Sequence, residues 1–137
     1  MADVVMTPAL ASEEDWQSRC TRCRATVEGL LKNRQPKEAL AEALKEPPYG
    51  ATVKTREEAA KTVLHAMSAF READIKAAAA SLSEDAQNTL MKYLYKFWGQ
   101  SLPARTNQQL FTWHSALVEL QAGPGSIVRA IYDWNWP

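Results

Sequence analysis

Residues 88–98 read NTLMKYLYKFW, and the rest of the chain can be ordered around them. At ~100° per residue, Leu90, Met91, Tyr93, Leu94, Tyr95, Phe97 and Trp98 cover most of a helix circumference. Asp85, Asn88, Thr89, Lys92 and Lys96 are left as a narrow polar stripe, which predicts Lys92 and Lys96 as solvated. A surface helix buries one stripe, whereas a helix that is apolar almost all round is packed from several sides. Each of its rings can bury ~150–250 Å². Other helices must therefore surround it.

Working outward, Ser83 followed by Glu84 and Asp85 is a helix start, an N-cap with acids at the positive end of the dipole. Before it, Asp74 opens a short alanine-rich helix with Ile75 and Leu82 as its large apolar residues. Thr55 with Glu58 has the spacing of a capping box, for a helix whose face is Ala59, Val63, Leu64, Ala66, Met67 and Phe70. Pro47, Pro48 and Gly50 form the clearest loop in the chain. Pro36 suits the first turn of a helix carrying Ala39, Leu40, Ala43 and Leu44. Ser12 precedes Glu13, Glu14 and Asp15, and Trp16, Cys20, Cys23, Val27, Leu30 and Leu31 then recur at intervals of three and four, an amphipathic helix to about Lys32.

Downstream, residues 99–103 break the chain. Thr106 is expected to start a helix with Leu110, Phe111, Trp113, His114, Leu117, Val118 and Leu120. Gly123, Pro124 and Gly125 make the next turn, and Ser126 leads into Ile127, Val128, Ala130 and Ile131. No stretch alternates with the period of a strand. The expected fold is all-α: about seven helices in an irregular antiparallel helical superhelix, one domain over residues 12–137, preceded by a short flexible arm at residues 1–11. Phrases such as KEALAEAL have the look of helical-hairpin repeats, but no ~34-residue period runs through the chain.

Composition narrows the function. A chain of 137 residues can bury roughly two-thirds of its unfolded surface in one domain. Apolar residues make up 46% and charged residues 23%, as in ordinary globular proteins. Sixteen basic and sixteen acidic residues cancel, which argues against nucleic-acid or anionic-membrane binding. No apolar run approaches the ~20 residues of a membrane span, and the first fifteen residues lack the pattern of a secretory signal. Two cysteines cannot build a disulfide framework, so a reducing cytosolic setting is expected.

Motifs for chemistry are sparse. Cys20 and Cys23 form C-x-x-C, the spacing of half a zinc site or of a redox pair. Structural zinc takes four ligands, and only His65 and His114 remain as soft donors, without close-spaced partners. A thioredoxin-like site would need a βαβ context. Two buried small residues sharing one helix face account for the spacing. His65 and His114 could each serve as a base near neutral pH, but no nucleophile or metalloprotease motif accompanies them. The turn at residues 123–126 precedes a helix, where free N–H groups can hold phosphate, yet it lacks the ending of a phosphate loop. No catalytic residue, cofactor or metal is therefore expected.

Among the five tryptophans, Trp16, Trp98 and Trp113 fall on helical faces. Trp134 and Trp136 lie in the terminal YDWNWP, where they either fold back onto the domain or enter a partner's pocket. Tryptophan is frequent in such pockets, and Arg129, Tyr132, Trp134 and Trp136 are the candidate partner-binding residues.

Three pieces recur in order: LMKYLYK at residues 90–96, Trp113 with His114, and GSIVRAI at residues 125–131. Upstream, LLKNRQPKEALAEALKEPP at residues 30–48 belongs with them. Together these resemble the small helical subunit 5 of the actin-related protein 2/3 complex, over about residues 27–131. The resemblance implies a seven-helix superhelix without enzymatic activity of its own. It further implies a place in a seven-protein assembly that nucleates branched actin filaments. The partners implied are the β-propeller subunit, subunit 4 and an actin-related subunit reached by the N-terminal arm, with actin engaged only indirectly. Animal members carry a long acidic arm, whereas about eleven weakly charged residues precede the first helix here, so few arm contacts are expected. The aromatic tail is outside the resemblance. A free-standing helical adaptor that binds peptides in a superhelical groove is the alternative, and a small enzyme built on C-x-x-C or the histidines is the third.

Overall fold

Helix starts and stops can be followed residue by residue in the structure, a computed structural model that describes residues 12–120. Among the described residues six α-helices run in order: α1 (Glu13–Lys32), α2 (Pro36–Ala43), α3 (Val53–Ser68), α4 (Ile75–Ser81), α5 (Glu84–Trp98) and α6 (Ala104–Leu120). A 3₁₀ turn, Glu72–Asp74, leads into α4, and no strand occurs among the described residues. The fold is all-α. The expected arm at residues 1–11 and the element expected after Ser126 lie outside the described residues.

Local signals placed most of these boundaries. The Ser12 hydroxyl accepts from the Asp15 N–H while the Asp15 carboxylate accepts from the Ser12 N–H, a full capping box. Pro36 sits in the first turn of α2, and the Ser83 hydroxyl caps α5 by accepting from the Ala86 N–H. The cap of α3 differs from expectation. Thr52, not Thr55, accepts there, from the Thr55 N–H, and α6 begins at Ala104 rather than Thr106. Thr55 is instead 1% exposed, one of the few polar side chains in the interior.

Between α1 and α2 the chain turns in a Schellman motif. Gln35 N–H donates to the Leu30 carbonyl and Arg34 N–H to the Leu31 carbonyl. Arg34 takes the left-handed position at φ 58°, where glycine is the usual residue because it has no Cβ to clash. The loop from α2 to α3 closes with Ala51 N–H donating to the Pro48 carbonyl, and Gly50 supplies φ +82°. This is the pattern of a type II turn.

α1, α2 and α3 pack on one another, while α4 and α5 both pack on α6. One apolar core joins all six, from Val27 and Leu40 through Val63 and Ile75 to Leu94, Leu110 and Trp113. Leu90, Met91, Lys92, Tyr93 and Leu94 are all buried. Five consecutive positions span more than a full turn, so α5 is enclosed on every side there, as its sequence predicts. Phe70 meets Trp113 edge-on at 5.4 Å, and Tyr93 stacks on Phe97 at 6.0 Å.

Lys92 overturns the expectation of a solvated stripe. It is only 6% exposed, and its Nζ donates to the Tyr49 hydroxyl at 3.2 Å while lying 5.0 Å above that ring. The type II turn carries Tyr49 over α5 at Lys92, so the amphipathic stem of Lys92 is buried and its ammonium is met by a phenol. Asp85 stays exposed, and Asn88, Thr89 and Lys96 are half-buried.

Candidate functional site

The tail residues Arg129, Tyr132, Trp134 and Trp136 lie outside the described residues. Within them, the most distinctive surface is made where α5 meets α6. Tyr95 and Trp98 are three apart on α5, Phe111 and His114 three apart on α6, so each pair shares a face. The helices run antiparallel: Trp98 lies 5.2 Å from Phe111 and 5.1 Å from His114, while Tyr95 lies 6.0 Å from His114. Tyr95 also meets Trp98 edge-on at 5.5 Å. Trp98 and Tyr95 are half-exposed, and Phe111 is 60% exposed. Phe111 is thus the one large aromatic of α6 turned to solvent among the described residues. On a wheel centred on Leu110, Trp113 and Leu117, Phe111 falls more than ~100° away, a signal that was present in the sequence.

Ala104, Asn107, Gln108, His114, Ser115 and Val118 flank Phe111 on α6, and none is a permanently charged residue. Aromatic-rich surface depleted in charge has the composition of interface cores. The Trp98 indole Nε1 is buried and finds no hydrogen-bond partner among the described residues. Burial holds the His114 imidazole below its ordinary range and pushes the Tyr95 phenol up. The two share a hydrogen bond, Tyr95 Oη to His114 Nε2 at 3.4 Å. Both shifts favour the neutral form of each ring. What this surface presents is an aromatic face without a permanently charged residue beside Phe111.

His65 is not brought near this cluster's chemistry. It is exposed on α3, beside Arg24, Glu28 and Lys61. Cys20 and Cys23 share a face of α1, as their spacing predicts, and line a groove of about 240 Å³ against α2 and α3. Both are free and half-buried, not fully buried as expected. The Cys23 thiol donates to the Glu42 carbonyl at 3.6 Å. Burial, with Glu42 nearby, pushes it up to about 11, and burial raises Cys20 as well. Such thiols stay protonated, and the thiolate is the form that attacks or binds metal. Among the described residues no three His, Cys, Asp or Glu side chains are grouped to hold a metal ion, and no helix is long and apolar enough to cross a membrane.

One polar site was not anticipated. Glu13, in the first turn of α1, places its carboxylate on the N-terminus of α3. It accepts from the Thr52 N–H at 2.9 Å, from the Thr52 hydroxyl at 2.9 Å and from the Thr55 hydroxyl. These bonds, first from Thr55 and then from the Thr52 backbone, hold the Glu13 carboxyl below its usual range. The partners are 39 and 42 residues apart in sequence, beyond the reach of any local pattern.

The family model described as "ARP2/3 complex 16 kDa subunit (p16-Arc)" matches residues 2–136. The chain is 33% identical over 122 residues to a probable actin-related protein 2/3 complex subunit 5 of Caenorhabditis elegans, covering 86% of this chain and 83% of that protein. It is 28% identical over 124 residues to actin-related protein 2/3 complex subunit 5 of Dictyostelium discoideum, covering 89% and 86%. With the subunit 5 of Saccharomyces cerevisiae it shares 37% identity over 90 residues, 64% of this chain and 56% of that one. Matched by that family model almost end to end, this chain belongs to the ARP2/3 complex 16 kDa subunit family.

Proposed function

We propose that this chain is a non-catalytic structural subunit of an actin-related protein 2/3 complex, holding other subunits in the geometry from which branched actin filaments are nucleated. The observation that carries the reading is the family match over residues 2–136. Its contribution is binding energy and geometry rather than bond chemistry. The described residues support that use: the cysteines are held protonated, and the most exposed aromatic surface is uncharged. Its partners are the propeller subunit, subunit 4 and an actin-related subunit, with actin engaged indirectly, in the cytoplasm and cytoskeleton. Residues 1–11 serve as a short arm and residues 12–137 as the docking domain. The aromatic face of Trp98 and Phe111, with Arg129, Tyr132, Trp134 and Trp136 from the tail, supplies partner contacts.

Purification of the tagged chain from its native cytosol tests this directly. A fixed set of actin-related and propeller subunits should co-purify, whereas a changing set of clients would point to a free-standing adaptor. Phe111→Ser should leave the melting of the isolated chain nearly unchanged, since Phe111 is 60% exposed, and should reduce recovery of the other subunits. Changing Trp134 and Trp136 together to alanine should do the same. Lost stability of the isolated chain with recovery intact would place both indoles on the chain's own core instead.

A further inference from the structure

The contact of Glu13 joins the first turn of α1 to the start of α3. No residue of α1 before Val27 is buried, so apolar packing secures only the second half of that helix. Its first turns are tied by the three hydrogen bonds to Thr52 and Thr55, together with an exposed pair, Arg19 to Glu46 at 3.6 Å. Exposed pairs contribute little. The carboxylate of Glu13 also sits where the dipole of α3 is positive and its first N–H groups lack helical partners. Thr52, which shares that position, is exposed, follows the loop that ends at Ala51, and has Lys54 two positions after it.

We propose that Thr52 is a phosphorylation site whose modification detaches the first turns of α1 from α3. In the step, Thr52 Oγ1 attacks the γ-phosphorus of ATP held by a protein kinase. The Oγ1–P bond forms, the bond from that phosphorus to the β–γ bridging oxygen breaks, ADP leaves, and the hydroxyl proton passes to the kinase's base. The hydroxyl that now donates to Glu13 is thereby replaced by a group carrying about −2 charge at neutral pH. A dianion cannot share that position with the Glu13 carboxylate, 2.9 Å from Oγ1. The outcome has a direction. A phosphate at the start of a helix is itself a favourable cap, and the Thr55 hydroxyl and the side chains of Lys54 and Arg56 are on the same turn of α3. α3 thus exchanges a cap supplied by α1 for one of its own and stays formed. α1 keeps its own Ser12–Asp15 capping box but loses its tether, and residues 1–11 are attached at that end.

The test uses the full chain, magnesium-ATP and a purified serine/threonine kinase that selects a basic residue two positions after its acceptor. Phosphate should map to Thr52, be absent in Thr52→Ala and be kept in Thr52→Ser. In the modified chain, amide exchange over residues 13–20 should rise about fivefold or more, as expected when a charge-assisted tether is lost, while residues 55–60 exchange no faster. Glu13→Gln, which keeps an acceptor but not the charge, should blunt that rise. A native chain that refuses phosphate at Thr52 while the peptide of residues 46–58 accepts it would overturn the proposal. So would a phosphorylated chain in which α1 exchange is unchanged or α3 opens instead.

Discussion

Residues 90–94 of α5 and residues 13–22 of α1 are both helical, yet all five of the first are buried and none of the ten in the second is. α5 is held by apolar contact on every side, with Leu90, Tyr93 and Leu94 at 0% exposure. The start of α1 is held by oxygen atoms: its own capping box, and a carboxylate fitted to the N-terminus of another helix. The two modes respond differently to perturbation. Burial fails globally, because removing atoms from a close-packed core leaves a cavity that neighbours fill only in part. A polar tether fails locally, because water replaces each lost partner.

The largest break should come from the centre of α5. Leu94→Ala removes a fully buried side chain and should lower unfolding free energy by about 2–5 kcal/mol, read from denaturant melts. A loss no larger than that of an exposed substitution would mean that the enclosure of α5 is illusory. Lys92→Ala comes next. Its stem is buried and its Nζ holds the Tyr49 hydroxyl, so the loss should be about 1–3 kcal/mol. Lys92→Met, which keeps most of the stem, should recover part of it. Full recovery by methionine would assign the whole effect to packing and none to the ammonium.

Arg34→Gly sharpens the comparison from the other end of α1, where backbone geometry rather than burial sets the turn. Relieving the left-handed arginine should raise stability by about 0.5–1 kcal/mol, visible as a higher melting temperature. A fall would show that the arginine side chain makes up for its backbone. The smallest global effect belongs to the Glu13 tether. Its carboxyl is held below the ordinary value of 4.5, so the tether is fully present above that value and is lost as pH falls through the lowered one. Amide exchange over residues 13–17, corrected for the intrinsic pH dependence of exchange, should quicken in that acid window while α5 stays protected. Uncorrected opening at neutral pH would instead place the weakness in the helix itself.

Much of this architecture was legible in the chain. Ser12, Pro36 and Ser83 mark helix starts because capping is decided within a few residues of the cap. Ala39, Leu40, Ala43 and Leu44 are all buried, as their spacing on one face requires. Cys20 and Cys23 share a face for the same reason, and their surroundings, not their spacing, hold them protonated. Thr55 was less legible: its spacing to Glu58 imitates a capping box, but Thr52 stands three residues earlier with an equally good hydroxyl, and the chain chose the start that lets Thr55 turn inward to Glu13. Phe111 was legible too, since it falls off the face that Leu110, Trp113 and Leu117 share.

What the sequence determined by itself is the set of helices and the direction of each apolar face, because hydrogen bonding, capping and a 3.6-residue period act over a few residues. Tertiary structure alone decided what covers each face. Lys92 is buried because a turn 43 residues away lays Tyr49 across it, and Glu13 is a cap for α3 because α1 crosses that helix at its first turn. A polar residue's environment depends on which distant segment arrives, and no local period carries that information.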